Sequence, residues 1–594
     1  MHPLLAAETG TVRKKWKGRL PAALLYPNTY PLAVSNLGFQ LVYRLLNNWE
    51  EIVCERFVYP QGHQERFRSL ESDRPLADFP LIFASISFEQ DYPRLAAMLA
   101  AGQVPPCTAE RNGPAAPGRP LVILGGAAVF MNPEPLASFA DLMVIGEAEA
   151  VLPSLLPELL AAAENIDRQE LLHRIGATIP GCYVPSGYSF RYDDDGRLLA
   201  ITAAPGLPQR VRRALVQTNG QAAHSALYSP EAELNMHMTE LGRGCSRGCR
   251  FCAAGFIYRP PRLWDADAVL AGLAQRPAEM KRAGLLGMEM AAPETLEQIA
   301  AFLSQTGCAL SFSSLRADRI SPRLLDLLAR SELKSVAIAP DGCSQRLRQV
   351  INKGLAEQDL LHAAAALTEA GIFTLKLYVM IGLPTETRAD LDEFVQLVRK
   401  IRERILPIGR AKGRLCELLL SVNSFVPKPW TPFQYLSFGG LTEEEALREQ
   451  SEKTALLRLN QSIKYLKNAL ADVDNLHLRA DRPDTVLMQA VFARADRRIA
   501  PLLLDIGTGK YSFKQAMKAH GLSAWHYAVR PRTADELFCW DVLDQGINKA
   551  YLHHELDKAL RAEGTSPCET SRCRRCGVCG AENQEHPHFA LFPA

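Results

Sequence analysis

Three cysteines, Cys245, Cys249 and Cys252, fall within eight residues in the run ELGRGCSRGCRFC. Three thiolates on one short loop can hold three irons of a cubane cluster and leave the fourth iron open to a substrate or cofactor. Four cysteines would close every iron and leave only electron transfer. Gly242, Gly244 and Gly248 let such a loop curl around a bulky cluster, and Arg243, Arg247 and Arg250 place positive charge beside an anionic thiolate–sulfide centre. The competing readings are three reduced thiols or a zinc site short of one ligand. Zinc normally takes a second Cys or His pair at a matching distance, and the neighbouring sequence supplies none. A second set lies at the far end: Cys568, Cys573, Cys576 and Cys579, four cysteines in twelve residues. It can close a whole cubane, which we favour, or bind one zinc; spacing leaves that choice open. Arg572, Arg574 and Arg575 beside it can neutralise the site or touch an acidic partner.

The elements that must position these residues repeat as strand and helix. Short apolar runs at 22–26, 52–58, 81–87, 121–124 and 142–145 alternate with helical stretches at 37–47, 92–101 and 148–163. That is the pattern of an open, Rossmann-like, doubly wound parallel sheet. In such sheets ligands lie beyond the carboxyl ends of the strands, so the loops at 26–30 and at Gly125–Gly126 are expected to line a site. Residues 166–231 read as a connection carrying a β-hairpin at 188–202 with an Asp-Gly turn. Strands at 234–241, 285–290, 309–315, 335–339, 374–381 and 417–425 then alternate with helices at about 265–283, 294–305, 321–330, 344–352, 356–370 and 387–405. Six units fit a partial (β/α)6 barrel, whose chemistry sits at the C-terminal strand ends, where the triplet falls. The expected division is therefore an α/β domain over 1–165, a connection over 166–231, the barrel over 232–438, a mostly helical region over 439–566 and a Cys-rich tail over 567–594.

The whole chain sets outer bounds. Its 594 residues exceed what one core holds. With 47% hydrophobic and 22% charged residues the composition is that of a globular protein. No apolar run approaches the ~20 residues a membrane span requires, and the N-terminus places its basic residues after its apolar patch, the reverse of a signal peptide. A cytoplasmic location with no membrane partner is expected. There, fourteen cysteines argue for metal chemistry over disulfides. The net charge of +2 gives no global nucleic-acid footprint, although a local basic surface stays open.

The triplet, with Phe251 before its last cysteine, resembles the radical S-adenosylmethionine (SAM) signature C-x3-C-x-aromatic-C. The resemblance implies that Cys245, Cys249 and Cys252 ligate a [4Fe–4S] cluster. SAM would bind its open iron and be cleaved reductively to a 5′-deoxyadenosyl radical, with an electron donor such as flavodoxin or ferredoxin. Gly287-Met288-Glu289 stands where the superfamily has a Gly-Gly-Glu motif that helps bind the SAM amino group. Ser313 and Arg316 after the third strand, Asp341 after the fourth, and Lys376 and Gly382 on and after the fifth are further expected SAM contacts. Gly382 would let adenine lie flat against the backbone.

Longer stretches, among them LLYPNTYPLAVSNLGFQLVYRLLN, RGCSRGCRFCAAGFIYRPPR, APDGCSQRLRQVINKG and CRRCGVC, resemble an uncharacterised bacterial radical SAM subfamily with an N-terminal cobalamin-binding-like domain. That resemblance implies cobalamin near Gly125 and Gly126, and cobalamin-dependent C-methylation of an unidentified small molecule, RNA or protein. Two departures accompany it. Residues 1–165 hold no Asp-x-His-x-x-Gly motif, His63 being the one histidine there after His2, and Asp341 stands where Glu is expected. An alternative is a methylthiotransferase-like modification of RNA or protein. Those enzymes carry three further N-terminal cysteines, where this chain has only Cys54 and Cys107. A non-enzymatic alternative is a metal-sensing RNA-binding protein with the tail as a zinc knuckle.

Overall fold

The computed structural model describes residues 3–60, 67–161, 167–216, 221–289, 291–312 and 315–579. Six strands, β1 (Leu20–Tyr26), β2 (Ile52–Val58), β3 (Leu81–Ser85), β4 (Leu121–Gly125), β5 (Leu142–Val144) and β6 (Cys182–Tyr183), form one sheet in the order β2-β1-β3-β4-β5-β6. The first five are parallel and β6 runs antiparallel at the edge. Alternate residues serve opposite faces. Ala22, Leu24, Leu81, Phe83 and Ile123 pack under the helices Leu37–Asn47 and Ala148–Ala161. Ala23, Leu25, Ile82, Ala84 and Val122 join a cluster that runs on into the barrel through Phe256, Leu347 and Leu377. Both faces are covered, as a parallel sheet requires. The order 2-1-3-4-5 reverses between β1 and β3, which puts the ligand crevice at the carboxyl ends of those strands.

The hairpin is present as Tyr188–Tyr192 paired with Leu198–Ala203. The barrel strands are His237–Glu240, Arg282–Leu286, Ala309–Phe312, Ser335–Gly342, Thr374–Ile381 and Glu417–Ser424, all parallel. They form a three-stranded and a longer sheet joined by a parallel bridge between Leu315 and Ile338. A seventh parallel strand, Leu476–Ala480, pairs with Glu417–Ser424 inside the region expected to be helical. It is a short edge strand whose side chains are half-buried or exposed, so it lacks the apolar run that marks a strand in sequence.

The remaining C-terminal helices join the domains. Asn132 donates to the carbonyls of Ala493 and Ala495 at 3.1 and 2.9 Å, Arg497 pairs with Glu134 at 2.8 Å, and Trp430 donates to the Met131 carbonyl at 3.1 Å. No helix among the described residues is long and apolar enough to cross a membrane.

The first barrel strand carries a pH-sensitive anchor. The His237 ring is fully buried between the Tyr228 hydroxyl at 2.8 Å and the Gly272 carbonyl at 2.9 Å, and stacks on His224. Burial lowers its pKa from 6.5 to about 4, and His224 and Arg276 add to the effect against the Gly272 hydrogen bond. The unfolded chain therefore takes up this proton first as pH falls. The contribution of neutral His237 is whole above about pH 6.5 and is lost between there and about pH 4; the shift corresponds to about 3 kcal/mol. In urea unfolding at pH 7 and pH 4.5, His237→Gln should show a smaller loss of stability on acidification than the parent by about 2 kcal/mol. An unchanged difference would remove the assignment.

Candidate active site

The cysteine loop leaves the first barrel strand and is pinned at its base, where Gly242 and Arg243 pair with Leu263 and Arg262. Gly244 has φ +84°, and a Cβ there would press on the Tyr258 carbonyl, so only glycine permits this close approach. The short helix Ala254–Ile257 closes the turn after Cys252. Cys245, Cys249 and Cys252 remain part-exposed. Burial raises all three thiols, Cys249 to about 11, with Lys353 and Arg316 opposing the effect at Cys249. As bare thiols they hold their protons at neutral pH and must release them to bind metal. Among the described residues no three His, Cys, Asp or Glu side chains converge closely enough for a single metal ion. Mononuclear zinc draws its sulfurs to about 2.3 Å from one point. A cubane held by three thiolates keeps one iron open, whereas a structural zinc takes four ligands.

Several expected contacts meet at this loop. Glu289 accepts from the Ser246 backbone N–H at 2.8 Å and from its hydroxyl at 2.5 Å, next to Cys245. Asp341 has φ +58° at a register shift of its strand and pairs with Lys353 at 2.5 Å. Strained backbone of this kind gathers at functional sites because a surrounding structure must hold it there. Arg316 donates to Asp318 at 2.9 Å and to the Lys353 carbonyl at 2.9 Å. The Asn352 amide donates to the carbonyls of Arg247 and Gly248, each at 3.2 Å. Asn352 and Lys353, in the polar run that follows the fourth barrel strand, thus meet the loop, and Ser246 joins the site although spacing did not single it out. Lys353 sits 12 residues from the carboxylate it meets, and only the bulged strand brings them together.

Other placements differ from expectation. Ser313 lies outside the described residues. Lys376 is third in its eight-residue strand, towards the end opposite the cysteine loop. The space above Gly382 is taken by Leu459 and Gly439, so it serves packing of the helix Lys453–Ala469. The loop arginines are already committed to protein groups. Arg243 meets Glu149, Glu240 and Glu147 at 2.7, 3.0 and 3.2 Å, and Arg250 is wholly buried against Glu555 at 3.1 Å. Arg247 stands 4.0 Å from Asp318. Lys353 and Arg316 are the cations that face the thiols.

Between the α/β domain and the barrel lies a cavity of about 510 Å3, within the usual range for ligand pockets. Leu24, Phe83, Ile123 and Leu124 make its apolar floor, and Asn36, Ser85 and Ser87 its polar edge. Gly125 and Gly126 line it as expected; the 26–30 loop does not, its place being taken by Asn36 to Val42 at the start of the next helix. The barrel side is Glu240, Arg243, Tyr258 and Gly287–Met288, so the cavity ends one residue short of Glu289. Burial alone would raise Glu147, but Arg243 and Arg262 overcome it and hold the carboxylate at about 2. The ion pairs therefore tie the β5 loop to the base of the cysteine loop. No histidine among the described residues lines the cavity. Cys54 is buried within β2 and Cys107 is half-buried elsewhere, so the described residues supply no N-terminal cysteine triad.

Residues 239–398 match the radical SAM superfamily, and residues 38–185 match the family of radical SAM proteins, N-terminal. An uncharacterized protein of Methanocaldococcus jannaschii is 24% identical over 502 residues, covering 84% of this chain and 93% of that protein. The ribosomal protein uS12 methylthiotransferase RimO of Salinispora arenicola is 26% identical over 292 residues, 42% of this chain and 54% of that enzyme. Among solved structures, the radical SAM methyltransferase TsrM of Kitasatospora setae, with cobalamin and a [4Fe–4S] cluster bound, aligns with a TM-score of 0.48 at 12% identity, over 85% of this chain and 99% of that one. With its cysteine triplet on the loop after the first barrel strand and both characteristic regions matched in order, the chain belongs to the radical SAM superfamily and is a radical SAM enzyme.

Proposed function

We propose that Cys245, Cys249 and Cys252 hold the SAM-cleaving [4Fe–4S] cluster, and that the adjoining cavity takes a corrinoid for methylation of a carbon centre. The observation that carries this is the continuity of the two spaces: Gly287–Met288 lines the cavity, while the next residue, Glu289, is held by Ser246 of the cysteine loop. When bound, the cluster supplies the electron that splits the SAM sulfonium into methionine and a 5′-deoxyadenosyl radical. Glu289, oriented by two hydrogen bonds, would hold the amino group of SAM, and Arg316 and Lys353 would hold its carboxylate. The Asp341–Lys353 pair keeps that lysine over the loop. A corrinoid, when bound, supplies the methyl group. Its fit rests on the apolar floor, the polar edge and the Gly125–Gly126 turn.

The test is anaerobic reconstitution of the full chain with iron and sulfide, reduction, and assay of 5′-deoxyadenosine, alongside the corrinoid absorption of protein from a cobalamin-replete host. Both signals are expected. No SAM cleavage would end the enzymatic reading, whereas cleavage without corrinoid uptake would leave a radical enzyme of another reaction type. The substrate class, whether small molecule, RNA or protein, is read afterwards from the acceptor of labelled methyl.

A further inference from the structure

The C-terminal tail packs directly behind the cysteine loop. The N–H of Cys568 donates to the Ser246 carbonyl at 2.7 Å, one residue from Cys245. Standard bond lengths then keep the Cα atoms of Cys568 and Cys245 within about 11 Å. Three further contacts fix the register. The Thr565 N–H donates to Asn352 at 2.9 Å, and the same Asn352 side chain holds the loop. Buried Arg250 donates to the Glu563 carbonyl at 2.8 Å and to the Thr565 hydroxyl at 3.2 Å. The loop and the tail therefore specify each other's backbone across some 300 residues of sequence.

Arg259 supplies an independent observation. It is 4% exposed, and its guanidinium lies over the rings of Phe256 and Tyr551 at 4.4 and 5.5 Å. Among the described residues no carboxylate stands within ion-pair distance of it. Its guanidinium donates to the Gly255 carbonyl at 3.1 Å and to the Tyr551 hydroxyl at 3.3 Å, lies beside the Cys576 sulfur, and closes through a terminal nitrogen on Gly248 of the loop. A small gap is lined by Ser246, Gly248 and Arg259 from the loop and by Cys568, Cys573 and Cys576 from the tail. Arg575 adds a second cation, its Nε 3.3 Å from the Cys573 sulfur. A buried cation without a counter-charge is costly, and a thiolate-ligated metal centre provides that charge. Four cysteines in twelve residues supply the four thiolates that such a centre takes.

We propose that Cys568, Cys573, Cys576 and Cys579 ligate a second [4Fe–4S] cluster that relays electrons to the triplet site. The balance is one electron in, from a low-potential one-electron carrier that is oxidised by one, and one electron out to the neighbouring site. No proton or bond changes hands, and the tail centre returns to its starting state. The metal site stands on the tail alone; the relay rests on the function proposed above.

The full chain, reconstituted anaerobically, tests both. The parent should hold about eight irons and eight sulfides, and a Cys245→Ala/Cys249→Ala/Cys252→Ala variant about four of each. The reduced variant should show a paramagnetic signal that added SAM leaves unchanged. Replacing all four tail cysteines by serine should also leave about four irons. In that variant the ratio of SAM cleavage driven by reduced flavodoxin to cleavage driven by dithionite should fall at least about tenfold. A parent with about four irons and one zinc, or a triplet variant devoid of iron, overturns the second cluster. An unchanged ratio overturns the relay. Should the tail variant fail to fold, the iron count and spectrum of the triplet variant still decide the site. Tail irons in a parent that never cleaves SAM would uphold the site and sink the function instead.

Discussion

Alanine at Cys249 should lower 5′-deoxyadenosine formation by more than about a hundredfold and remove the irons of its loop, while the irons proposed for the tail should stay. The magnitude follows from ligand count. The loop offers three cysteines for three irons, so the loss of one leaves a corner without its thiolate. A change in an orienting partner is milder, because the ligands themselves remain. Glu289→Gln keeps the hydrogen-bonding shape beside Ser246 but removes the charge offered to SAM, and losses at such supporting positions run to about 10–100-fold. The two variants also differ in kind. Cys249→Ala loses the iron chromophore, whereas Glu289→Gln keeps it and weakens the change that SAM produces in its spectrum. Cys416→Ala is the control. Its sulfur is buried against the Ile405 carbonyl, remote from both cysteine sets, and its irons and turnover should match the parent. Equal cleavage by Cys249→Ala and the parent would place the chemistry elsewhere.

What the sequence made legible divides along physical lines. Runs such as Ile52–Val58 and Thr374–Ile381, and the helices Leu37–Asn47 and Tyr92–Ala101, appear where their apolar patterns place them. In these segments burial dictates composition, so period and burial carry the same information. Leu476–Ala480 is the opposite case: a barrel strand paired on one side, with too little buried surface to leave a pattern. The cysteine triplet was readable because all its ligands lie on one loop. Its electrostatics were not. Arg243, Arg247 and Arg250 look like counter-charges when read beside the cysteines in sequence. Their partners, Glu147, Glu149, Asp318 and Glu555, come from elements far along the chain and claim them first. The charge that faces the thiols comes instead from Lys353 and Arg316. The contact between tail and loop was equally invisible, since no local period records a hydrogen bond from residue 568 to residue 246.

Gly125→Phe should reduce the corrinoid retained per chain by more than about tenfold, or at least about 1.4 kcal/mol of binding, while the protein keeps its irons. The neighbouring glycine gives the contrast that makes this informative. Gly126 has φ +108°, and a Cβ on it would overlap the Ile86 carbonyl, so Gly126→Ala forces the turn after β4 to move and should lower thermal stability whatever binds there. Gly125 carries no such constraint. A Cβ there meets only Val144, at an ordinary 3.7 Å, and larger groups extend from it into the cavity. Phenylalanine at 125 therefore removes ligand space without straining the backbone, whereas alanine at 126 strains the backbone and removes little space. If the cavity holds the corrinoid, occupancy falls in Gly125→Phe at unchanged melting temperature, and the melting temperature itself falls in Gly126→Ala. Stoichiometric corrinoid in a well-folded Gly125→Phe protein would mean that the α/β domain presents its strand ends to some other ligand. The Glu147–Arg243 pair would then link the two domains without any corrinoid between them.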